Sequence, residues 1–123
     1  MTGDPRLLGA WGETHTADYL RRRGYTLRAA NYRTRHGEID IIAEKDGILA
    51  LVEVKTRRDD RFAKPMEAVT PAKLAKIRLA GLAYLAETGC DLPVRFDVAE
   101  VYAPQDLTKP PVRIHYMENV SSF

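Results

Sequence analysis

The sequence holds one cysteine, Cys90, in 123 residues. That excludes an intrachain disulfide framework and any zinc site built on several cysteines. Long apolar runs are also missing. The most apolar stretch, Leu79–Ala86, falls far short of the roughly 20 residues a membrane span needs. The opening Met-Thr-Gly-Asp-Pro-Arg has no basic segment followed by an apolar one, so no secretory leader is visible. No repeat, linker or low-complexity tract divides the chain. These absences leave a soluble, cytoplasmic domain with no membrane partner, spanning 1–123 as one unit, as the expectation.

Charge is present but almost cancels: 19 Lys and Arg against 17 Asp and Glu give +2. The total hides blocks. Residues 1–36 carry +4, 37–54 carry −4, 55–78 carry +5, and the remainder −3. An acidic stretch between two basic ones suits a site that handles a polyanion through bound cations. Taken alone, the blocks read more simply as ordinary scatter of surface charge.

The spacing of apolar residues predicts a helix over Arg6–Arg23, closed by Gly24 as a left-handed cap. Ala10, Glu13, Ala17 and Leu20 fall on one helical stripe, which sets Glu13 among small or apolar neighbours. Tyr25–Arg33 reads as a strand and Thr34–Gly37 as a turn. Glu38–Glu44 and Ile48–Thr56 both alternate at period two around Lys45-Asp46-Gly47. Asp-Gly favours a type I′ hairpin turn, in which Gly accepts positive φ. With Asp46-Gly47 as that turn, Asp40 faces Glu53, Glu38 faces Lys55 and Ile42 faces Leu51. Ile39, Ile41 and Ala43 then face Val54, Val52 and Ala50, an apolar surface that must be buried.

Thr56–Lys64 reads as a basic loop. Thr70 caps a second helix with Pro71 at its first position and Gly89 at its end. Its expected buried stripe is Leu74, Ile77, Gly81, Tyr84 and Leu85. Pro93–Tyr102 and Val112–Met117 are the last strands. The expected class is α/β, a mixed sheet flanked by helices in the order α-β-β-β-α-β-β.

Two carboxylates directly opposite on antiparallel strands have Cβ atoms about 4.5–5.5 Å apart and repel. A proton, a neighbouring cation or a divalent metal can compensate them. Hard oxygen ligands suit Mg²⁺ or Mn²⁺. Lys55 on the same face could then stabilise developing phosphorane charge or help activate a water, a combination that suggests phosphodiester hydrolysis. A solvated face with its acids paired to Lys55 and nearby arginines stays open as the other reading.

Gly37-Glu-Ile-Asp40 followed by Val52-Glu-Val-Lys55 resembles the PD-(D/E)xK nuclease superfamily. With Gly9-x-x-Gly12-Glu13, Asn31-Tyr-Arg33, the continuation Thr56-Arg57, Arg95-Phe-Asp-Val98 and an end containing Asn119, the chain resembles the bacterial YraN family, which is similar to archaeal Holliday-junction resolvases. Ile39 stands where the superfamily's name has Pro, as in resolvase-like members. The resemblance implies a restriction-endonuclease-like core. It also implies Asp40 and Glu53 as holders of Mg²⁺ or Mn²⁺, Lys55 as the assistant of the attacking water, and Glu13 reaching back to the metal site. It implies an endonuclease acting on DNA, branched or damaged DNA included, and a homodimer. A nucleic-acid-binding module without turnover is the alternative. A hydrolase of another phosphorylated substrate is disfavoured by the lack of a phosphate-cradling Gly-rich loop.

Arg33, Arg35 and His36 before the hairpin, and Arg57, Arg58 and Arg61 after it, are candidate phosphate contacts. Lys73 opens the second helix against its dipole, which also suggests a phosphate partner. Arg95 and Asp97 on one strand face read as a structural ion pair. His15, His115 and Cys90 show no chemical partner in the pattern.

Overall fold

The computed structural model describes residues 5–58 and 70–120. The first helix, α1, spans Pro5–Arg22. Gly24, at φ 93°, turns the chain out of it, and the Tyr25 amide donates back to Leu20 O at 3.0 Å. The buried stripe is Gly12, Thr16 and Leu20. This differs from the expected one: Ala10 is exposed, and Glu13 and Ala17 only flank the buried line. The reason is close approach. A Cβ on Gly12 would lie 1.9 Å from Thr56 Oγ1, so α1 crosses the sheet where it has no side chain. Thr16 is buried at no polar cost, because its hydroxyl donates to Gly12 O at 2.8 Å.

Five strands follow: β1 Thr26–Arg33, β2 Glu38–Lys45, β3 Ile48–Arg57, β4 Val94–Tyr102 and β5 Arg113–Met117. The second helix, α2, spans Pro71–Thr88 between β3 and β4. Sheet order equals chain order, with β3 and β4 parallel and every other pair antiparallel. The architecture is therefore the mixed α/β arrangement with the expected α-β-β-β-α-β-β order. Among the described residues no helix is long and apolar enough to cross a membrane.

Thr70 caps α2 as its sequence indicates, with Oγ1 accepting the Lys73 amide at 3.1 Å, and Gly89 closes it at φ 71°. Asp46 and Gly47 take φ 53° and 76°, the double positive φ of a type I′ turn. The hairpin register is the expected one from Lys45↔Ile48 to Ile41↔Val52. β3 continues to Arg57 where a loop was expected from Thr56, because β4 pairs with it as far as Arg57↔Tyr102. The remainder of that basic segment, Arg61 included, lies outside the described residues.

Two cores sandwich the sheet. Leu20 of α1 packs with Ile41, Ala43, Ala50, Val52 and Ala99 on one side. Ile77, Ala80 and Tyr84 of α2 pack with Ile42, Leu49, Leu51, Phe96 and Val98 on the other. The hairpin thus buries both faces near its turn, where the period-two pattern suggested one. Ile39 also departs from expectation. It joins the α2 side with Ile42, not the α1 side with Ile41. The alternation breaks beside Asn31, whose φ of 51° sits between the pairs Ala30↔Ile41 and Tyr32↔Ile39.

Candidate active site

The ladder between β2 and β3 carries the site at its open end. Beyond Ile41↔Val52 the Val54 amide donates to Oδ2 of Asp40 at 2.8 Å, so a carboxylate enters the space between the strands. Asp40 is thereby fixed by backbone. Burial pushes its carboxyl up to about 6, opposed by the Val54 hydrogen bond and reinforced by the negative charges of Glu13, Glu53 and Glu38. Three other acids therefore act on Asp40 at this end of the sheet.

Glu53 sits on β3 with a side chain only 12% exposed. Its Oε2 lies 3.0 Å from Lys55 Nζ and also takes the ammonium of Lys73 from the first turn of α2. Lys73 thus meets Glu53, where the sequence suggested a phosphate. Glu38, expected opposite Lys55, pairs with Arg33 of β1 instead, at 3.4 Å. The cause is β1 itself, which sets Arg33 directly across from Glu38.

Glu13 projects from the turn of α1 next to the Gly12 crossing. Its carboxyl is raised by burial, lowered by a side-chain hydrogen bond with Asn31 and raised again by Glu38. Glu13 and Asn31 both line an open cleft of about 430 Å³ between α1 and β1, with Ala17 and Ile41 among the other walls. In the sequence Asn31 stands out only as part of the Asn31-Tyr-Arg33 motif. Asn tolerates a left-handed φ, but nothing in a single sequence marks this Asn as the one that does. Among the described residues no three Asp, Glu, His or Cys side chains stand close enough to ligate one ion together. Asp40, Glu53 and Glu13 nonetheless share this end of the sheet, and the charges of Glu13 and Glu53 both act on Asp40.

The arginines divide. Arg33 and Arg35 are exposed beside the 34–37 turn, which Thr34 ties by accepting the His36 and Gly37 amides at 3.0 and 3.2 Å. Arg35 Nε donates to the His36 ring at 3.4 Å. Arg58 is exposed where β3 ends. Arg57 is committed elsewhere: Nη2 and Nε reach buried Glu100 at 3.1 and 3.3 Å. Its position after Lys55 concealed this, because the partner lies 43 residues away on β4.

Arg95 and Asp97 form the expected ion pair, two-pronged at 2.9 Å on both oxygens. Asp97 is fully buried and also accepts from Tyr116 Oη at 2.6 Å and the Asn119 amide at 2.9 Å. Arg95 reaches Tyr25 Oη at 2.8 Å. This cluster is closed. His15 lies against Trp11, and His115 lies 3.4 Å from Glu100.

The profile of the Uncharacterised protein family UPF0102 matches residues 12–101, a span that contains every candidate from Glu13 to Lys73. A UPF0102 protein of Syntrophomonas wolfei is 44% identical over 105 residues, covering 85% of this chain and 91% of that one. A UPF0102 protein of Symbiobacterium thermophilum is 51% identical over 98 residues, covering 78% of this chain and 82% of its own. One from Bacteroides fragilis is 47% identical over 95 residues, covering 77% and 78%.

Proposed function

The chain belongs to the Uncharacterised protein family UPF0102, and on that footing we propose that it is a metal-dependent endonuclease hydrolysing phosphodiester bonds in DNA. The observation that carries this reading is the acid cluster at the open end of β2 and β3. Asp40 is crowded by three other carboxylates, and its carboxyl is pushed up to about 6. Lys55 and Lys73 offset Glu53 and Arg33 offsets Glu38, while the donor to Asp40 is the neutral Val54 amide, which a divalent ion would supplement with positive charge. Paired hard oxygens at a solvent-reachable edge fit Mg²⁺ or Mn²⁺, which commonly takes one or two protein carboxylates and fills its other positions with water and phosphate.

Asp40 and Glu53 would hold the ion. When bound, it supplies Lewis acidity to a phosphoryl oxygen and lowers the pKa of water. Lys55, 3.0 Å from Glu53, orients the attacking water and offsets charge gathering on the phosphoryl oxygens. Glu13 reaches the cluster from α1 and, with Asn31, borders it on the β1 side. Arg33, Arg35 and Arg58 are exposed around this end and hold flanking phosphates. Arg57 is left out of that role because Glu100 engages it.

The test incubates labelled branched, duplex and single-stranded DNA with Mg²⁺ or Mn²⁺, using wild type, Asp40→Asn and Lys55→Ala. Cleavage by wild type, reduced at least a hundredfold by both substitutions, is the expected outcome. Equal cleavage by all three proteins would mean contamination and end this reading. Salt-dependent binding without cleavage in either metal would replace it with a nucleic-acid-binding module that has no turnover.

A further inference from the structure

Two ammonium groups share one oxygen of Glu53, but they arrive from different layers. Lys55 stands on the same strand, two residues along. Lys73 comes from the third position of α2, across the opening between helix and sheet. A lysine in the first helical turn faces the positive end of the helix dipole. Thr70 already satisfies the Lys73 amide, and α2 has no acid in its first turn to offset that charge. The offset comes from Glu53. The two carboxylates are also held unequally. Asp40 is gripped by a backbone amide that cannot leave, whereas the α2-side grip on Glu53 is a flexible side chain 42% open to solvent.

We propose that Lys73 is a surrogate cation for this site: its ammonium holds Glu53 until a divalent ion enters, then moves to a phosphate oxygen of the nucleic acid, coupling the two binding events. This rests on the metal-dependent nuclease reading above. Release from Glu53 strands a positive charge at a helix N-terminus, the place in a protein best suited to an anion. Nucleic acid therefore favours the released lysine, and the released lysine favours the metal. Reciprocity follows: each ligand tightens the other by the same factor. Lys73 is a positioning residue in this scheme, distinct from Lys55 beside the reacting phosphate.

The test measures Mn²⁺ binding to the full chain by the electron-paramagnetic-resonance signal of free Mn²⁺, with and without a branched DNA whose phosphorothioate linkages slow hydrolysis. Wild type is expected to bind Mn²⁺ at least about fivefold more tightly with the DNA present. Lys73→Met should bind Mn²⁺ about fivefold more tightly than wild type without DNA, and should lose the response to DNA. Lys73→Arg should keep the response, since it retains a cation that can move. Lys76→Met removes the same unit of charge one turn along an exposed face of α2 and should match wild type within about twofold. Thermal unfolding of each variant checks that it is folded. Lys73→Met binding Mn²⁺ no better than wild type, or keeping the full response to DNA, overturns the exchange while leaving the metal site intact. Wild type that binds no Mn²⁺ in either condition overturns the metal reading itself.

Discussion

Two carboxylate clusters lie in this sheet, and they are built to opposite rules. Around Asp97 both oxygens are satisfied by fixed donors: two from Arg95, the Tyr116 hydroxyl and the Asn119 amide. Burial and the Asp97 charge push the Tyr116 hydroxyl well above its ordinary range, so it stays a donor. Around Asp40 one backbone amide opposes burial and three like charges. The first cluster ties β4 to β5, to the segment after it and to Tyr25 beyond α1. The second contributes repulsion. Lys55 and Lys73 offset Glu53 and Arg33 offsets Glu38, so the repulsion falls chiefly on Asp40, whose donor is the neutral Val54 amide.

The same substitution in both clusters gives the strongest test of that contrast. Asp97→Asn takes the two-pronged ionic partner from half-buried Arg95, leaving it Glu118 at 3.8 Å, and should cost about 3 kcal/mol of unfolding free energy in urea titrations. A cost under about 1 kcal/mol would show that the closed cluster is not structural. Gly12→Ala comes next. Its methyl would collide with Thr56 Oγ1, which is itself buried without a hydrogen-bond partner, and should cost about 2–3 kcal/mol. Adding Thr56→Ala should recover at least half of that cost, and a purely additive double mutant would refute the steric account.

Asp40→Asn should act in the other direction. The folded carboxyl, at about 6, is raised above its ordinary 3.8, so the native state holds this proton more tightly than the unfolded chain. Stability from this group is therefore full below pH 4 and is lost as pH rises through about 6. In chelator at pH 8 the Asn variant should be more stable than wild type by about 2 kcal/mol, with the gain vanishing near pH 4. A gain independent of pH would break the comparison. Smallest in stability is Arg33→Ala, an exposed pair worth under about 0.5 kcal/mol. Its effect should appear in DNA binding as a salt-dependence slope shallower by about one.

Much of this was legible in the sequence. Asp46-Gly47 set the hairpin register, and Thr70-Pro71 with Gly89 bounded α2, because turn and cap chemistry is local. The expected facing of Asp40 and Glu53 lies beyond the ladder, which ends at Ile41↔Val52, and there Asp40 meets the Val54 amide instead. What escaped was non-local or depended on backbone geometry. The partner of Arg57 lies on β4, and the partner of Lys73 lies across a helix–sheet boundary. The buried stripe of α1 departs from the apolar pattern because Gly12, which contributes least to such a pattern, is the residue that lets the helix approach. Ile39 joins the α2 side where strict alternation from Ile41 puts it on the α1 side, and the break lies beside Asn31, whose left-handed φ no apolar pattern reports.

That residue has another effect. β1 is an outer strand of the sheet, and an outer strand with a regular free edge invites a second chain to extend it. Asn31 bends the edge near one end, and the register shift between Leu27 and Ala29 interrupts it near the other. Arg28 and Arg33 add charge at those same two points. The two irregularities and the charge beside them leave β1 a poor template for strand addition.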